Sequence, residues 1–219
     1  DIALKNGFAI ADAEPVFGNI VRLMESGRVD HLPGFAEGAW WIQDAAASLP
    51  ARLLGDVRGR RVIDLCAAPG GKTAELAAMG AHVTAVEREA PRLARIRENL
   101  ARLKLVAELI QSDLRDFKPQ EAAPFVLLDA PCSATGTIRR HPELPWIKNA
   151  SDVTLCAATA QELLDAAADM VAPGGVLVFA VCSLEAEEGP EQIEAFLSSH
   201  QEFKRETVIA GEMFGLGEA

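Results

Sequence analysis

Residues 62–73 read Val62-Ile63-Asp64-Leu65-Cys66-Ala67-Ala68-Pro69-Gly70-Gly71-Lys72-Thr73, and this stretch decides the fold of the chain. A short apolar run passes through small residues and a glycine pair into a helix-forming segment. This order predicts a strand, a tight turn and a helix, the arrangement with which an open α/β sheet forms a nucleotide pocket. Pro69 and the glycine spacing match neither GxGxxG nor GxxxxGK[ST], the motifs of phosphate-binding turns. The turn therefore favours a ligand that has a ribose and a base but no phosphate.

Downstream of this stretch, apolar strands alternate with helical segments. Such alternation predicts an α/β fold with a doubly wound, mostly parallel sheet. The predicted strands cover 62–66, 82–86, 106–110, 125–128 and 176–181, with a last strand over 205–209; the predicted helices cover 72–79, a segment introduced by Pro91, 155–171 and a segment introduced by Pro190.

Five predicted strands deliver a polar residue at or near their carboxyl ends. These residues are Asp64, Glu87, Asp113, Asp129 and Cys182. In doubly wound sheets the ligand lies along this edge, and an acid about 20 residues beyond the glycine turn binds the ribose hydroxyls. Glu87 occupies that position. The sequence therefore predicts a nucleoside site along the carboxyl edge of the sheet.

The composition limits the class of protein. The chain has 219 residues and a formal net charge of −11, which argues against binding nucleic acid by bulk charge alone. Its four cysteines form no CxxC pair, and the sequence contains neither a signal peptide nor an apolar run of membrane-spanning length. We therefore expect a cytoplasmic protein with no metal site and no membrane partner.

The domain organisation is predicted as an N-terminal segment over residues 1–38 and a catalytic domain over 39–219. Residues 1–38 have weak periodicity with scattered Gly and Pro. Trp40 and Trp41 precede a Gln-Asp pair and an apolar helical run. These two indoles could line a pocket or serve as a buried anchor for the N-terminal segment.

Two cysteines follow neighbouring strands of the predicted sheet. Cys132 stands in Asp129-Ala130-Pro131-Cys132-Ser133, and Cys182 stands in Val181-Cys182-Ser183. Both thiols would meet at one edge beside the nucleoside pocket. The other two, Cys66 and Cys156, are interpreted as small buried hydrophobes, Cys66 contributing at most its backbone to the turn.

A thiolate at such a site can activate a cytosine. Its addition at C6 makes C5 nucleophilic toward an electrophilic methyl group, and Asp129 is placed to act as the acid near N3. The target base must leave its stack, so the substrate is single-stranded or locally flipped. Chemistry alone does not decide which cysteine attacks.

Three motifs resemble those of the Sun/Nop-type RNA (cytosine-5) methyltransferases, most of all the bacterial 16S ribosomal RNA methyltransferase B group. They are residues 64–73, residues 129–136 together with 139–143, and residues 182–184. The resemblance implies the Rossmann-like fold of class I S-adenosylmethionine-dependent methyltransferases, with RNA, in particular ribosomal RNA, as the substrate.

The resemblance also implies roles for single residues. Cys182 is the implied nucleophile, and Cys132 is the thiol that helps to release the product. Arg139, Arg140 and His141, with Lys148, form the implied basic patch for RNA, although they could be a charged loop exposed to solvent. S-adenosylmethionine is implied to bind Cys66, Ala67, Ala68, Pro69, Gly70, Gly71, Lys72, Glu87, Asp113 and Asp129.

The sequence departs from the family pattern in two respects. Position 181 is Val where the family usually has Thr, although the Cys-Ser pair follows it. Neither the family's N-terminal helical RNA-binding domain nor its final strand pair is evident, and a missing helical domain would explain the acidity of the chain.

Other functions stay open at this point. The same chemistry could act on transfer RNA. A non-catalytic nucleotide- or RNA-binding module is a second class, and the two retained thiols argue against it. A nicotinamide oxidoreductase is a third, and the absence of GxGxxG argues against that one.

Overall fold

A small antiparallel sheet precedes the predicted α/β unit in the computed structural model, which describes residues 2–5, 13–24 and 28–208. Its strands β1 (Ile2–Leu4), β2 (Ala13–Phe17), β3 (Ile20–Leu23) and β4 (Trp40–Ile42) lie in the order β2-β3-β1-β4. The sequence analysis assigned no element to residues 1–38, since strands of three to five residues carry too little alternation. The predicted boundary at residue 39 falls just before β4, which pairs with β1.

The two tryptophans of β4 are buried anchors. The Trp40 side chain is fully buried and its indole N–H donates to the Pro33 carbonyl oxygen at 2.9 Å. Trp41 packs in the core formed with the third helix and also lines a small cavity beside the glycine turn. Asp44 then caps helix α1 (Ala45–Leu53) by accepting from the backbone N–H of Ala46.

The predicted doubly wound sheet is present and entirely parallel. Its strand order is β7-β6-β5-β8-β9. Successive strands run outward from β5 in one direction, and β8 then returns to its other side, so the topological switch point lies between β5 and β8. The strands are β5 (Arg61–Leu65), β6 (His82–Glu87), β7 (Glu108–Gln111), β8 (Ala123–Asp129) and β9 (Val171–Ala180), and the helices are α2 (Gly71–Ala78), α3 (Ala90–Leu103), α4 (Leu144–Ile147), α5 (Ala150–Ala168) and α6 (Pro190–Ser199).

The sheet is covered on both faces because alternate strand residues point to opposite sides. On one face, Ile63 and Val126 pack with Leu163 and Leu164 of α5 and with Phe196 of α6. On the other face, the apolar core includes residues of α1 and α2. Its buried members are Ala51, Leu54, Val57, Val62, Leu76, Ala81, Val83, Leu127 and Val178.

Two elements begin about five residues earlier than predicted and one predicted strand does not form over its described residues, while other boundaries shift by one to three residues. Helix α5 begins at Ala150 and not at 155, because Asn149 and Asp152 form a capping box at its start. Strand β9 begins at Val171 and includes the Pro173-Gly174-Gly175 turn signal that the sequence placed before it. The strand predicted over 205–209 is wrong for residues 205–208, which form no strand, and residue 209 lies outside the described residues.

Candidate active site

The loop after β5 turns sharply around the start of α2. Gly70 has a φ of 98°, and an added Cβ there would meet the Ile96 side chain of α3 at 3.1 Å, so this position requires glycine. The Ala68–Pro69 peptide bond is cis, and the Asn99 side chain donates to the Pro69 carbonyl oxygen at 3.2 Å. The loop that the sequence assigned to the cofactor is therefore held against α3.

A buried hydrogen bond joins the strand before this loop to the helix after it. The Thr73 hydroxyl of α2 donates to Asp64 at the end of β5 at 2.5 Å. Burial raises the pKa of Asp64 to about 7, and its second carboxyl oxygen is buried without a hydrogen-bond partner. Asp64 is thus a buried group that holds the two sides of the turn together.

Glu87 ends β6 directly beside the loop. Its carboxylate accepts from the backbone N–H of Ala68 at 3.3 Å and from that of Glu89 at 3.0 Å, and only 3% of the residue is exposed. Arg92 of α3 approaches Glu87 at 3.5 Å and donates to the Ala68 carbonyl oxygen. Glu87, the residue predicted to bind the ribose hydroxyls, therefore lies next to the loop predicted to bind the cofactor.

Asp113, the third predicted acid, is hydrogen-bonded to Arg115. Asp113, after β7, accepts three hydrogen bonds from Arg115, at 2.7 to 3.0 Å. These bonds lower the pKa of Asp113 to about 2. Its carboxylate reaches the carboxyl edge of the sheet as predicted, with Arg115 as its partner.

Asp129 and Lys72 meet across the switch point. The Lys72 ammonium at the start of α2 lies 2.8 Å from the Asp129 carboxylate at the end of β8. Both side chains are partly buried, 15% and 29% exposed. Lys72, which the sequence analysis assigned only to cofactor binding, is thus paired with Asp129, which it assigned to acid catalysis.

The two predicted thiols lie together beyond this pair. The Sγ atoms of Cys132 and Cys182 are 3.4 Å apart. The hydrogen bond between the two thiols, together with the Lys72 charge, lowers the pKa of Cys182 to about 7 against the opposing effects of burial and Asp129. The same bond raises the pKa of Cys132. Cys182 is thus the better thiolate and Cys132 the better proton donor.

The other two cysteines have no such environment. Burial raises the pKa of Cys66 to about 12, and its thiol packs against the sheet core. Burial also raises the pKa of Cys156 on α5. The sequence analysis interpreted both as small buried hydrophobes, but both are only partly buried. Cys66 packs against the core, while the thiol of Cys156 lies beside Glu188.

A buried polar cluster fixes the two cysteine loops to each other. Glu188 is fully buried and accepts from the Ser133 backbone N–H at 2.7 Å and from its hydroxyl at 2.5 Å. The Ser183 hydroxyl lies 3.2 Å from the hydroxyls of both Ser133 and Thr135. In addition, Gly136 donates its N–H to the Cys182 carbonyl oxygen, and an added Cβ at Gly136 would come within 2.8 Å of that oxygen.

The predicted RNA contacts are exposed and lie near the start of α1. Arg139 and Arg140 approach the Asp44 carboxylate at 3.8 and 3.6 Å, and His141 contacts Glu143 at 3.2 Å. Asp44 was not among the predicted site residues. The loop over residues 134–149 therefore extends from the thiols to α1.

A buried network connects the N-terminal sheet to α2, and the sequence analysis missed it. Glu75, one turn after Lys72, accepts from Gln43 at 2.7 Å and pairs with Arg52 at 3.1 Å. Gln43 in turn accepts from the Trp41 indole, and Arg52 also donates to Asn19. The Gln-Asp pair after the tryptophans gave the one sequence signal for this network.

The cavity beside the glycine turn is separate from the thiols. It has a volume of about 210 Å³ and is lined by Phe35, Trp41, Pro69, Asn99 and Arg102, among others. Arg102 stacks over the Phe35 ring at 4.0 Å and donates to the backbone of Phe35 and Trp40. Arg102 and Arg92 thus bind protein groups.

Within the described ranges, no three His, Cys, Asp or Glu side chains are grouped as metal ligands would be. No helix in that part of the chain is both long and apolar enough to cross a membrane.

Comparison with known proteins decides the family. The family model described as 16S rRNA methyltransferase RsmB/F matches residues 51–218. The ribosomal RNA small subunit methyltransferase B of Yersinia pseudotuberculosis serotype O:1b (strain IP 31758) is 43% identical over 197 residues, which cover 88% of this chain. The chain belongs to the RsmB/F family. The resemblance inferred from the three motifs is confirmed.

Solved structures confirm the Rossmann-like fold expected of this family. The crystal structure of PH0851 is 29% identical, with a TM-score of 0.89 over 95% of this chain and 52% of that one. The structure of NSun6 from Pyrococcus horikoshii with SFG is 28% identical, with a TM-score of 0.73 over 83% of this chain and 49% of that one. The chain spans 46% of the length of the Yersinia RsmB/F relative.

Proposed function

We propose that this chain transfers a methyl group from S-adenosylmethionine to C5 of a cytosine in RNA, and specifically in ribosomal RNA, through a covalent cysteine–C6 adduct. The observation that carries the proposal is the pair of thiols 3.4 Å apart at the carboxyl edge of the sheet, with Lys72 and Asp129 joined nearby. The name of the Yersinia relative, a ribosomal RNA small subunit methyltransferase, supports ribosomal RNA as the substrate.

The side chains at the edge of the sheet fit S-adenosylmethionine. Its ribose hydroxyls and amino groups are hydrogen-bond donors, and Glu87 and Asp129 supply carboxylate acceptors on either side of the loop over residues 66–72. The related NSun6 structure contains SFG, an analogue of this cofactor. When bound, S-adenosylmethionine supplies an electrophilic methyl group.

The first step assigned to the chain's own residues is addition to the base. The Cys182 thiolate forms a bond to C6 of the flipped cytosine, and electron density moves toward N3 and C5. N3 takes up a proton as negative charge develops there, and Asp129, which accepts a hydrogen bond from Lys72, is assigned as the acid that delivers it. The low pKa of Cys182 supplies the thiolate near neutral pH.

Release reverses the addition. After C5 has gained its methyl group, a solvent water takes the C5 proton and N3 returns its proton to Asp129. Cleavage of the C6–Sγ bond then restores the aromatic ring, and Cys182 leaves with the electron pair as a thiolate. Cys132, whose thiol faces Cys182 and has a raised pKa, is assigned to this stage because its S–H can hydrogen-bond the departing sulfur and stabilise it as a thiolate. Arg139, Arg140 and His141 are assigned to the RNA backbone.

A methyl-transfer assay tests the proposal. Unmodified small-subunit ribosomal RNA and transfer RNA are incubated separately with the protein and S-adenosylmethionine, and bisulfite sequencing locates any 5-methylcytosine. We expect modification of an unpaired cytosine in the ribosomal RNA, and none with Cys182→Ala. Modification of transfer RNA alone would reassign the substrate. Cofactor binding without transfer to either RNA would indicate a non-catalytic module.

A further inference from the structure

Large apolar side chains are exposed at the surface of the segments that follow Cys132 and Cys182. Trp146 is 88% exposed, Leu184 is 82% exposed and Ile147 is 63% exposed. These fractions are unusual, because large apolar side chains in this number normally pack inside or face a partner. The other two tryptophans of the chain, Trp40 and Trp41, are buried.

The segment over residues 134–149 carries Trp146 and Ile147. It is held at both ends against elements that surround the two thiols. At its start, Gly136 donates to the Cys182 carbonyl oxygen, and the Leu184 amide donates to Thr135 at 3.0 Å. At its end, Asn149 caps α5, and this helix contacts the short helical turn that contains Glu188. Leu144 is buried under α4 and fixes this helix, so Trp146 projects outward from a held backbone.

The charge around Trp146 differs from that of the whole molecule. Residues 138–148 contain Arg139, Arg140 and Lys148 and a single acid, Glu143, in a chain of net charge −11. Among the described residues, the carboxylate that Arg139 and Arg140 approach is that of Asp44, at 3.8 and 3.6 Å. An exposed aromatic side chain in a segment that also carries weakly paired cations matches the combination of bases and phosphates in unpaired RNA.

We propose that Trp146 is a stacking platform for an unpaired base of the RNA substrate next to the target cytosine. The flanking cations bind the adjoining phosphates, and Leu184 borders the entrance to the thiols. Stacking outside the site offsets part of the cost of taking the target cytosine out of its stack. This inference rests on the proposed function and identifies where the substrate is held.

Tryptophan fluorescence gives a direct test because Trp146 is the exposed one of the chain's three tryptophans. A short unpaired oligoribonucleotide should quench the emission of the wild type and shield it from acrylamide. Trp146→Phe keeps an aromatic face, so it should still bind RNA while the fluorescence response disappears. Trp146→Ala should weaken RNA binding about 5- to 100-fold, the range for a lost base–aromatic stack.

Val106→Ala is the matched control. Val106 is 85% exposed and precedes β7, at the opposite edge of the sheet from the thiols, so this variant should bind RNA as the wild type does. Equal RNA affinity of the Trp146→Ala and Val106→Ala variants would overturn the proposal, as would RNA binding that leaves the emission unchanged. Trp146 already shielded from acrylamide before RNA is added would assign the surface to a second copy or another protein segment, and would also overturn it.

The binding assay needs no methyl transfer, so the two proposals fail separately. A Trp146 response to RNA without 5-methylcytosine formation would leave the platform standing and reject the proposed reaction. Methylation with an unchanged Michaelis constant for RNA in Trp146→Ala would reject the platform alone.

Discussion

The Sγ atoms of Cys132 and Cys182 lie 3.4 Å apart although 50 residues separate them in the chain. Strands β8 and β9 are neighbours in the sheet, and each cysteine follows the end of one of them. The hydrogen bond between the thiols makes them chemically unequal, lowering the pKa of Cys182 and raising that of Cys132. Cys182 is also the more exposed of the two cysteines, and this accessibility together with the asymmetry supports its assignment as nucleophile, which the residue pattern alone left open.

Removing each thiol should therefore have a different result. Cys182→Ala should abolish methyl transfer and covalent capture of RNA, because no thiolate remains to add at C6. Cys132→Ala should permit addition and methyl transfer and then stall, so that a protein–RNA complex survives SDS and migrates as a shifted band. A trapped band from Cys182→Ala and none from Cys132→Ala would show that the roles are reversed. Active enzyme from both variants, without a band, would reject the covalent mechanism.

The pH dependence of methyl transfer should follow the Cys182 thiolate. Its pKa is lowered to about 7, and the thiolate is the form present above the pKa, so the single-turnover rate should rise as pH increases through about 7 and then level off. Cys132→Ala removes the hydrogen bond that lowers this pKa. Its profile should move toward the ordinary thiol value of about 8.5. Identical midpoints in the wild type and in this variant would show that the hydrogen bond does not set the thiolate population.

Glu87 is predicted to bind the ribose of S-adenosylmethionine. Glu87→Ala should weaken cofactor binding by about 1–3 kcal/mol in calorimetry, the range for a lost hydrogen bond to a charged group. Because Glu87 also accepts from the Ala68 and Glu89 amides, its removal can disturb the loop without any cofactor. Two further variants serve as controls for such a disturbance of the loop. Glu87→Gln keeps a side-chain acceptor for the loop amides, and Glu89→Ala changes an exposed neighbour of Glu87. Unchanged affinity in Glu87→Ala would remove this residue from the site.

The sequence predicted the parts of the fold that depend on regular patterns. Long apolar runs alternating with amphipathic helices specify the parallel sheet, and parallel strands bring their carboxyl ends to one edge, which is why Cys132 and Cys182 could be placed together. The N-terminal sheet was missed because its strands are short and their pairing is not local. Residues 205–208 carry a similar brief pattern but form no strand.

The contacts of the site that the sequence analysis missed share a physical reason. Lys72 pairs with Asp129 across 57 residues, and no local signal in the sequence identifies such a partner. Glu188 stands in the acidic run Glu185-Ala186-Glu187-Glu188, which is typical of a solvent-exposed turn. Only the folded chain shows that Glu187 is exposed while Glu188 is fully buried against Ser133.

This contrast between Glu187 and Glu188 gives the last prediction. Glu188→Ala leaves the Ser133 amide and hydroxyl without their buried acceptor, so the variant should lose about 1–3 kcal/mol in the free energy of unfolding. The Cys132 loop should then separate from the Cys182 loop. The hydrogen bond between the thiols would weaken, and the pH profile of single-turnover methyl transfer should move to higher pH.

The pH profile separates positioning of the thiols from a purely structural role. Lower stability with an unchanged midpoint would mean that Glu188 supports the fold but does not set the distance between the thiols. Glu188→Gln keeps one carbonyl acceptor for Ser133 and should recover part of both effects. Glu187→Ala removes the exposed neighbour in the same turn and should alter neither the stability nor the midpoint. A shift in the Glu187 variant as large as that of Glu188→Ala would point to the charge of the turn, and not to the Ser133 contact, as the cause.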